Sequence, residues 1–539
     1  MVLIACLCFA RQSAPDLVIV NGRIWTDGHL SRNSSIAVKD GRFIAVGTDL
    51  SGKIGPGTKV IDAKGNWIVP GLIDCHTHML ESSTDFAFGL DLRPAKNKSE
   101  FIKLVADKVK QLGPNEWVLG GSWTVDSYPN KDSFGKAWID GVTRDHPALL
   151  SRMDGHSILV NSKAFELSHI TKDGPSDPPG GRIERDPITH EPTGVLSDTA
   201  LSLIHKPLPN FQQMERALPY CIDEAHRWGV TASGEIVQPI LSGLWPKYMK
   251  SPGRSYRVAM YMRADSPQSA DIVANMPSVE GWFEPKGVKL FMDGSLGSRS
   301  GYMAKPYTKP LPTQPKDWRG SPRPGATNGL YKSIIAEAAK VGIQVVTHAI
   351  GDQANHDILD LYSAVPDVQN RRFRIEHAQH LLPEDIRRFH DLGVIASMQP
   401  YHKADDARYC EDVIGVARSR TSYAFHDIES TGGRLGFGSD FPVVTLNPWV
   451  GIATAVTGRV STGKVWMPHQ NISLDKALEA YTSGAAYACR MESEIGRIAE
   501  GYHADFVILD RRLNRDGSNV AGTKPLLVFE EGKDVTVGK

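Results

Sequence analysis

Residues 66–78 read Asn66-Trp67-Ile68-Val69-Pro70-Gly71-Leu72-Ile73-Asp74-Cys75-His76-Thr77-His78, an apolar strand-like run that gives way to a loop at two imidazoles spaced two apart. Strand side chains alternate faces, so His76 and His78 share one face. Two neutral imidazole nitrogens there can reach a single divalent cation. One His-x-His is weak evidence alone, and the remainder of the chain decides its meaning.

On the N-terminal side, Leu17-Val18-Ile19-Val20, Ser35-Ile36-Ala37-Val38 and Phe43-Ile44-Ala45-Val46 are short β-type runs separated by Asn21-Gly22 and Asp40-Gly41. These dipeptides are hairpin signals and predict a small antiparallel sheet. The far end repeats the pattern in Phe506-Val507-Ile508-Leu509 and Leu526-Leu527-Val528-Phe529. Residues 16–69 and 491–539 are therefore expected to form one domain together. Between them, strands alternate with amphipathic stretches: a helical pattern over 333–341 precedes Gln344-Val345-Val346-Thr347, and another over 357–365 precedes Phe373-Arg374-Ile375-Glu376. Such alternation predicts βαβ units and a parallel sheet, and over residues 70–490 an α/β (β/α)8 barrel. Residues 91–207, with the Pro/Gly-rich run 174–181, break the rhythm and read as an insertion after the first barrel strand, in the place of a lid.

At 539 residues the chain exceeds what one hydrophobic core serves. Lys+Arg and Asp+Glu both total 61, so no net charge draws in nucleic acid or an anionic membrane, and a small-molecule substrate is expected. Six scattered cysteines, Cys6, Cys8, Cys75, Cys221, Cys410 and Cys489, fit neither a disulfide framework nor a Cys-x-x-Cys zinc site. No stretch has the length and apolarity of a transmembrane helix. Met1 to Ala10 resembles the end of a secretory h-region, and Leu3-Ile4-Ala5-Cys6 a bacterial lipobox. If residues 1–15 are a signal remnant the location is periplasmic or lipid-tethered in a bacterium; otherwise it is cytoplasmic.

If the middle is a barrel, polar residues at later strand ends share its mouth. His348 follows Gln344–Thr347, His377 follows Phe373–Glu376, Asp440 follows Leu435-Gly436-Phe437-Gly438-Ser439, and Lys289 lies inside the apolar run Gly287 to Asp293. Singly, each is an ordinary histidine, a helix cap or a snorkelling lysine. Their order on successive strands points to a metal site.

That ordered set, His76-x-His78, Lys289, His348, His377 and Asp440, resembles the amidohydrolase superfamily. Further segments resemble its YtcJ-like branch, which includes N-substituted formamide deformylases: Gly71 to His78, Arg152-Met153-Asp154-Gly155-His156, Gly180-Gly181-Arg182-Ile183, Pro192-Thr193-Gly194-Val195-Leu196, and Lys289 through Asp293-Gly294-Ser295-Leu296-Gly297-Ser298-Arg299. The resemblance implies a distorted TIM barrel with a composite β-sandwich domain from both chain ends. It implies two divalent ions, with His76, His78, Asp440 and a carboxylated Lys289 on one, and Lys289, His348 and His377 on the other. Zinc is the default for an imidazole-rich set with bridging oxygens; iron, manganese and nickel also fit. A lysine in an apolar strand has its charged form disfavoured, and the neutral amine can add carbon dioxide. The activity implied is hydrolysis of an amide, N-formyl or N-acyl carbon–nitrogen bond, with Asp440 as general acid and base. Trp123, Asp154, His156, Ser295 and Arg299 are placed near the substrate, and a homodimer is compatible. Two alternatives stand: a mononuclear deaminase of the same superfamily, which does not need Lys289, and a catalytically silent scaffold.

Overall fold

The computed structural model describes residues 14–538 apart from 126–127, 129–133, 154–156, 179–180, 206–210, 252–255 and 312–313. The readings placed on residues 1–13, with Cys6 and Cys8, and on Asp154 and His156 lie outside the described residues. Eight strands, β1 (Leu72–Thr77), β2 (Val230–Val237), β3 (Arg257–Arg263), β4 (Phe283–Phe291), β5 (Gln344–Ala349), β6 (Arg374–His377), β7 (Ile395–Met398) and β8 (Arg434–Phe437), lie side by side in chain order and all pair in parallel. A parallel bridge from Thr77 to Phe441 returns the last segment to the first strand, so the sheet is a nearly closed barrel.

Alternation sorts the strand residues into two layers. Val258, Met260, Val288, Leu290, Val345, Ile375 and Ala396 pack outward into the large core beneath the helices. Ile73, Ala232, Ala259, Tyr261, Val346 and Ile395 pack inward, together with Ala485, Ala486 and Ala488 of the helix Ser483–Ala488. The parallel register sets Lys289, Val346, Arg374 and Ile395 beside one another on four successive strands. Thus a lysine and an arginine occupy the same inward layer as aliphatic residues.

The apolar run that opens the sequence is not one strand but two. Trp67–Pro70 joins a six-stranded sheet with Arg23–Thr26, His29–Leu30, Phe506–Leu509, Pro525–Glu530 and Lys533–Asp534, whereas Leu72–Thr77 is β1 of the barrel. The break falls at Gly71, whose N–H donates to the Asp505 carbonyl at 2.9 Å, and a Cβ there would collide with the Thr231 side chain. A second, four-stranded sheet holds Leu17–Val20, Ser35–Lys39, Arg42–Gly47 and Lys59–Asp62. The two sheets share a core containing Leu17, Ile36, Phe43, Ile68, Phe506 and Phe529.

Two local expectations fail here. Asp40-Gly41 does close a hairpin between Ser35–Lys39 and Arg42–Gly47, but Asn21-Gly22 passes the chain from one sheet to the other. Asn21 takes the left-handed conformation expected of such a turn, at φ 55°, and its flanking strands do not pair. Nor is the sheet wholly antiparallel, since Leu17–Val20 pairs in parallel with Lys59–Asp62.

Between β1 and β2 the chain forms a third sheet of six strands, from Leu90–Asp91 to Pro192–Asp198, with its own core around Phe101, Trp138 and Leu150. Among the described residues, no helix is long and apolar enough to cross a membrane.

One buried ion pair ties the barrel to the C-terminal strands. Arg257 of β3 donates from Nε to Asp505 Oδ2 at 2.7 Å, with both side chains almost wholly removed from solvent. Arg257 also donates to the Gly281 carbonyl. Removing one partner of such a pair leaves the other charge buried alone, so Arg257→Met is expected to lower the unfolding free energy by about 3–5 kcal/mol. Urea denaturation checks this, and a loss under about 1 kcal/mol would show that the pair does not hold the two parts together.

Candidate metal centre

The histidine pair reaches the barrel mouth through an irregularity that strand alternation does not foresee. From Asp74 to Thr77 β1 advances three residues while β2 advances two, from Ser233 to Glu235. This bulge turns consecutive residues to one side. Cys75 Sγ lies 3.3 Å from Ser397 Oγ, and His76 Nδ1 lies 2.5 Å from Glu376 Oε2. His78 sits just past the strand, before the helix Met79–Phe88. Its position is fixed by Glu235, which accepts from the Thr77 hydroxyl at 2.6 Å and from the backbone N–H groups of Met79 and Leu80 at 3.1 and 2.8 Å.

The end of β8 is stitched onto the same turn: Asp440 N–H donates to the His76 carbonyl and His78 N–H to the Phe441 carbonyl, both at 2.8 Å. Asp440 and His377 have φ of 60° and 72°, the left-handed region that non-glycine residues enter at a cost. Both carry side chains that the sequence singles out, so the strain falls on the site itself.

These constraints bring Nε2 of His76 and Nε2 of His78 to 3.3 and 3.2 Å from a single oxygen, Asp440 Oδ1. Two donors held tetrahedrally by one zinc-like ion at about 2.0–2.2 Å stand roughly 3.3–3.5 Å apart, so this donor set fits a divalent cation. Lys289 Nζ is 3.5 Å from His76 Nε2. The imidazole rings of His348 and His377 are 4.6 Å apart, and those of His76 and His377 5.1 Å. The six expected ligand residues thus form one cluster.

Three of the imidazoles have one nitrogen held. His76 Nδ1–H donates to the Glu376 carboxylate, His377 Nδ1–H to the Gln399 side-chain oxygen at 2.7 Å, and His348 Nε2–H to the Gly294 carbonyl at 3.0 Å. Each acceptor takes a proton, which leaves the lone pair on the opposite ring nitrogen: Nε2 in His76 and His377, Nδ1 in His348. Protonation states agree with ligation. Burial, then the charge of Lys289, brings His76 down to about 4, and burial together with His348 holds His377 well below its usual range. Burial works to raise the Asp440 carboxyl, yet the neighbouring histidines hold it well below the ordinary value. Burial, helped by the charges of Arg263 and Arg374, lowers Lys289 to about 8, against the pull of Glu376 and Asp440.

Glu376 was not singled out in the sequence, although it adjoins His377. Its carboxylate accepts from His76, from Ser397 Oγ at 2.6 Å and from Arg374 Nε at 2.7 Å. Burial would raise it, but Arg374 and then His76 hold it far below the usual carboxylate range. Gln399 and His402, just past β7, were also missed. His402 Nε2 lies 3.9 Å from Asp440 Oδ2. The available signal was position alone, two polar residues following the apolar run Val394 to Met398 where the seventh strand end belongs.

The residues expected near the substrate are engaged locally. Trp123 lies in the core of the inserted sheet and donates its indole N–H to the Leu150 carbonyl at 2.7 Å. Ser295 Oγ pairs with Ser298 Oγ at 2.9 Å. Arg299 donates to the carbonyls of Leu296, Gly297 and Lys309, at 3.2, 2.6 and 3.2 Å, and its charge faces the Tyr409 ring at 5.9 Å.

Comparison with known proteins agrees with this architecture. The chain is 33% identical to Protein LONG AFTER FAR-RED 3 of Arabidopsis thaliana over 96% of its length and 91% of that protein. It is 29% identical to the putative amidohydrolase YtcJ of Bacillus subtilis, over 90% of this chain and 94% of that one. An N-substituted formamide deformylase of Arthrobacter pascens is 26% identical, over 92% and 93%. Among solved structures, an uncharacterized metal-dependent hydrolase from Pyrococcus furiosus superposes with a TM-score of 0.74 at 26% identity, covering 92% of this chain and 99% of that one. The sequence profile of the amidohydrolase family matches residues 59–535, and the chain belongs to that family.

Proposed function

We propose that the protein is a metal-dependent hydrolase that cleaves the carbon–nitrogen bond of a small amide, in the N-formyl or N-acyl class. The observation that carries this is the convergence of His76 and His78 on one Asp440 oxygen, with His76 held from behind by Glu376. The formamide deformylase of Arthrobacter pascens, similar over nearly its whole length, supports the substrate class.

His76, His78 and Asp440 would hold one divalent cation, most readily zinc, and His348 and His377 a second, with Lys289 between them. Bound there, such ions supply a water of lowered pKa and a positive charge for the scissile carbonyl oxygen. The chain's own groups do the rest. Asp440 takes a proton from the attacking water as the carbon–oxygen bond forms, then gives it to the departing nitrogen as the carbon–nitrogen bond breaks. The buried imidazoles of His76 and His377, both held well below their usual range by burial, keep their lone pairs free over the neutral range. Lys289, buried and easily deprotonated, is suited to add carbon dioxide, which would turn a cation into an anion with two oxygen donors.

Replacing Asp440 by Asn is expected to lower kcat by about 10²–10⁴-fold while the protein still binds at least one cation, as read by steady-state kinetics and metal analysis on N-formyl and N-acyl amines. Full activity in that variant would remove Asp440 from the mechanism. For Glu376→Gln, loss of the carboxylate behind His76 is expected to weaken metal affinity about 10–100-fold, measured by titrating metal-stripped protein against a competing chelator. Intact-mass measurement under native conditions is expected to show the added mass of one carbon dioxide in the wild type and none in Lys289→Met. A mononuclear deaminase would show no such adduct and would release ammonia from an aminated heterocycle.

A further inference from the structure

The ligand set above takes nothing from β7, yet β7 delivers an imidazole to the same space. The strand ends at Met398, Gln399 gives its side-chain oxygen to His377, and Pro400 starts the helix Pro400–Asp406, which places His402 on the first turn. His402 Nε2 is shielded from solvent and has no hydrogen-bond partner. A buried polar nitrogen left in that state forfeits its hydration without return, so the fold retains it against a penalty.

Three facts say what the nitrogen faces. It stands 3.9 Å from Asp440 Oδ2, whereas the other oxygen of that carboxylate is the one approached by His76 and His78. The His402 ring lies within 10° of parallel to the His377 ring, with centroids 6.0 Å apart. One donor atom from each of His377, His402 and Asp440 lies within 4.8 Å of the other two. Asp440 therefore presents one oxygen to the two imidazoles from the end of β1 and the other to His402 from the end of β7.

We propose that His402 is a further ligand of the second divalent cation, which it would hold together with His348, His377 and Asp440. This rests on the hydrolase reading of the same centre and adds to it an imidazole supplied by β7. Asp440 would then bridge the two positions, which links the grip on both cations to the group that moves the proton.

The test is direct titration of metal-stripped, full-length protein with cobalt(II) in the presence of a competing chelator, following both stoichiometry and visible absorption. The wild type is expected to take up two cations. His402→Ala and the more conservative His402→Gln are expected to keep the first and to lose affinity for the second by at least about tenfold, with the absorption of the second step altered. In His402→Gly, free imidazole is expected to restore that step, which no folding defect would allow. Thermal unfolding of the stripped variants monitors their fold. Variant titrations that superimpose on the wild type overturn the inference even where turnover falls, because His402 would then serve the substrate and not the metal. A wild type that takes up no cobalt would remove the hydrolase reading as well, so the two failures are told apart by the wild-type curve.

Discussion

The centre depends on a charge placed deep inside the barrel. Arg374 and Glu376, two residues apart on β6, point into the same interior layer and are fully buried. Arg374 also donates to the Cys75 carbonyl at 2.8 Å and the Tyr261 hydroxyl at 3.1 Å, so its guanidinium is satisfied by three strands. This keeps Glu376 ionised where burial alone would neutralise it, and the ionised carboxylate in turn fixes the tautomer of His76. A buried ion pair of this kind contributes little net stability, but removing one member leaves the other stranded. Its service is orientation: the nitrogen that faces Asp440 is chosen, through two successive hydrogen bonds, by an arginine at the barrel's middle.

Much of this was legible in the residue pattern, for reasons that can be named. The helices and strands around Gln344–Ala349 and Arg374–His377 stand where periodicity puts them, because an amphipathic helix packed on a buried parallel strand leaves a clear change of period. His76, His78, Lys289, His348, His377 and Asp440 are legible as candidates because chemistry in such barrels is confined to the strand ends. The missed features are those without local signature. A bulge is one extra residue in a pairing register, and no composition marks the one in β1. Asn21-Gly22 has the chemistry of a turn but not the partner strand, since which strand follows which in a sheet is settled by long-range contacts. Glu376 looks like any acid beside a histidine until the arginine two residues earlier is seen to share its face.

Support for the site comes from several distant segments at once. Glu235 on β2 caps the turn after β1, Gln399 after β7 holds an imidazole on β6, and Gly294 after β4 holds one on β5. Three of the strand ends that carry the clustered histidines are thus fixed by a neighbour rather than by their own loops. The left-handed backbones at His377 and Asp440 are tolerable on this footing, because strain at a few residues persists where the surroundings over-determine them.

The division of the opening run at Gly71 has a consequence for how the chain is made. Trp67–Pro70 pairs with Phe506–Leu509, and the very next residue donates to Asp505. During synthesis from the N-terminus, one side of the segment leading into β1 waits for partners more than 400 residues downstream, which have not yet left the ribosome. Arg23–Thr26 is present early to pair with one edge of Trp67–Pro70, but the edge that Phe506–Leu509 covers stays open through most of translation. His76 and His78 are therefore among the first groups of the cluster to be synthesised and among the last to be secured, so a nascent chain assembles the cluster only on near-completion.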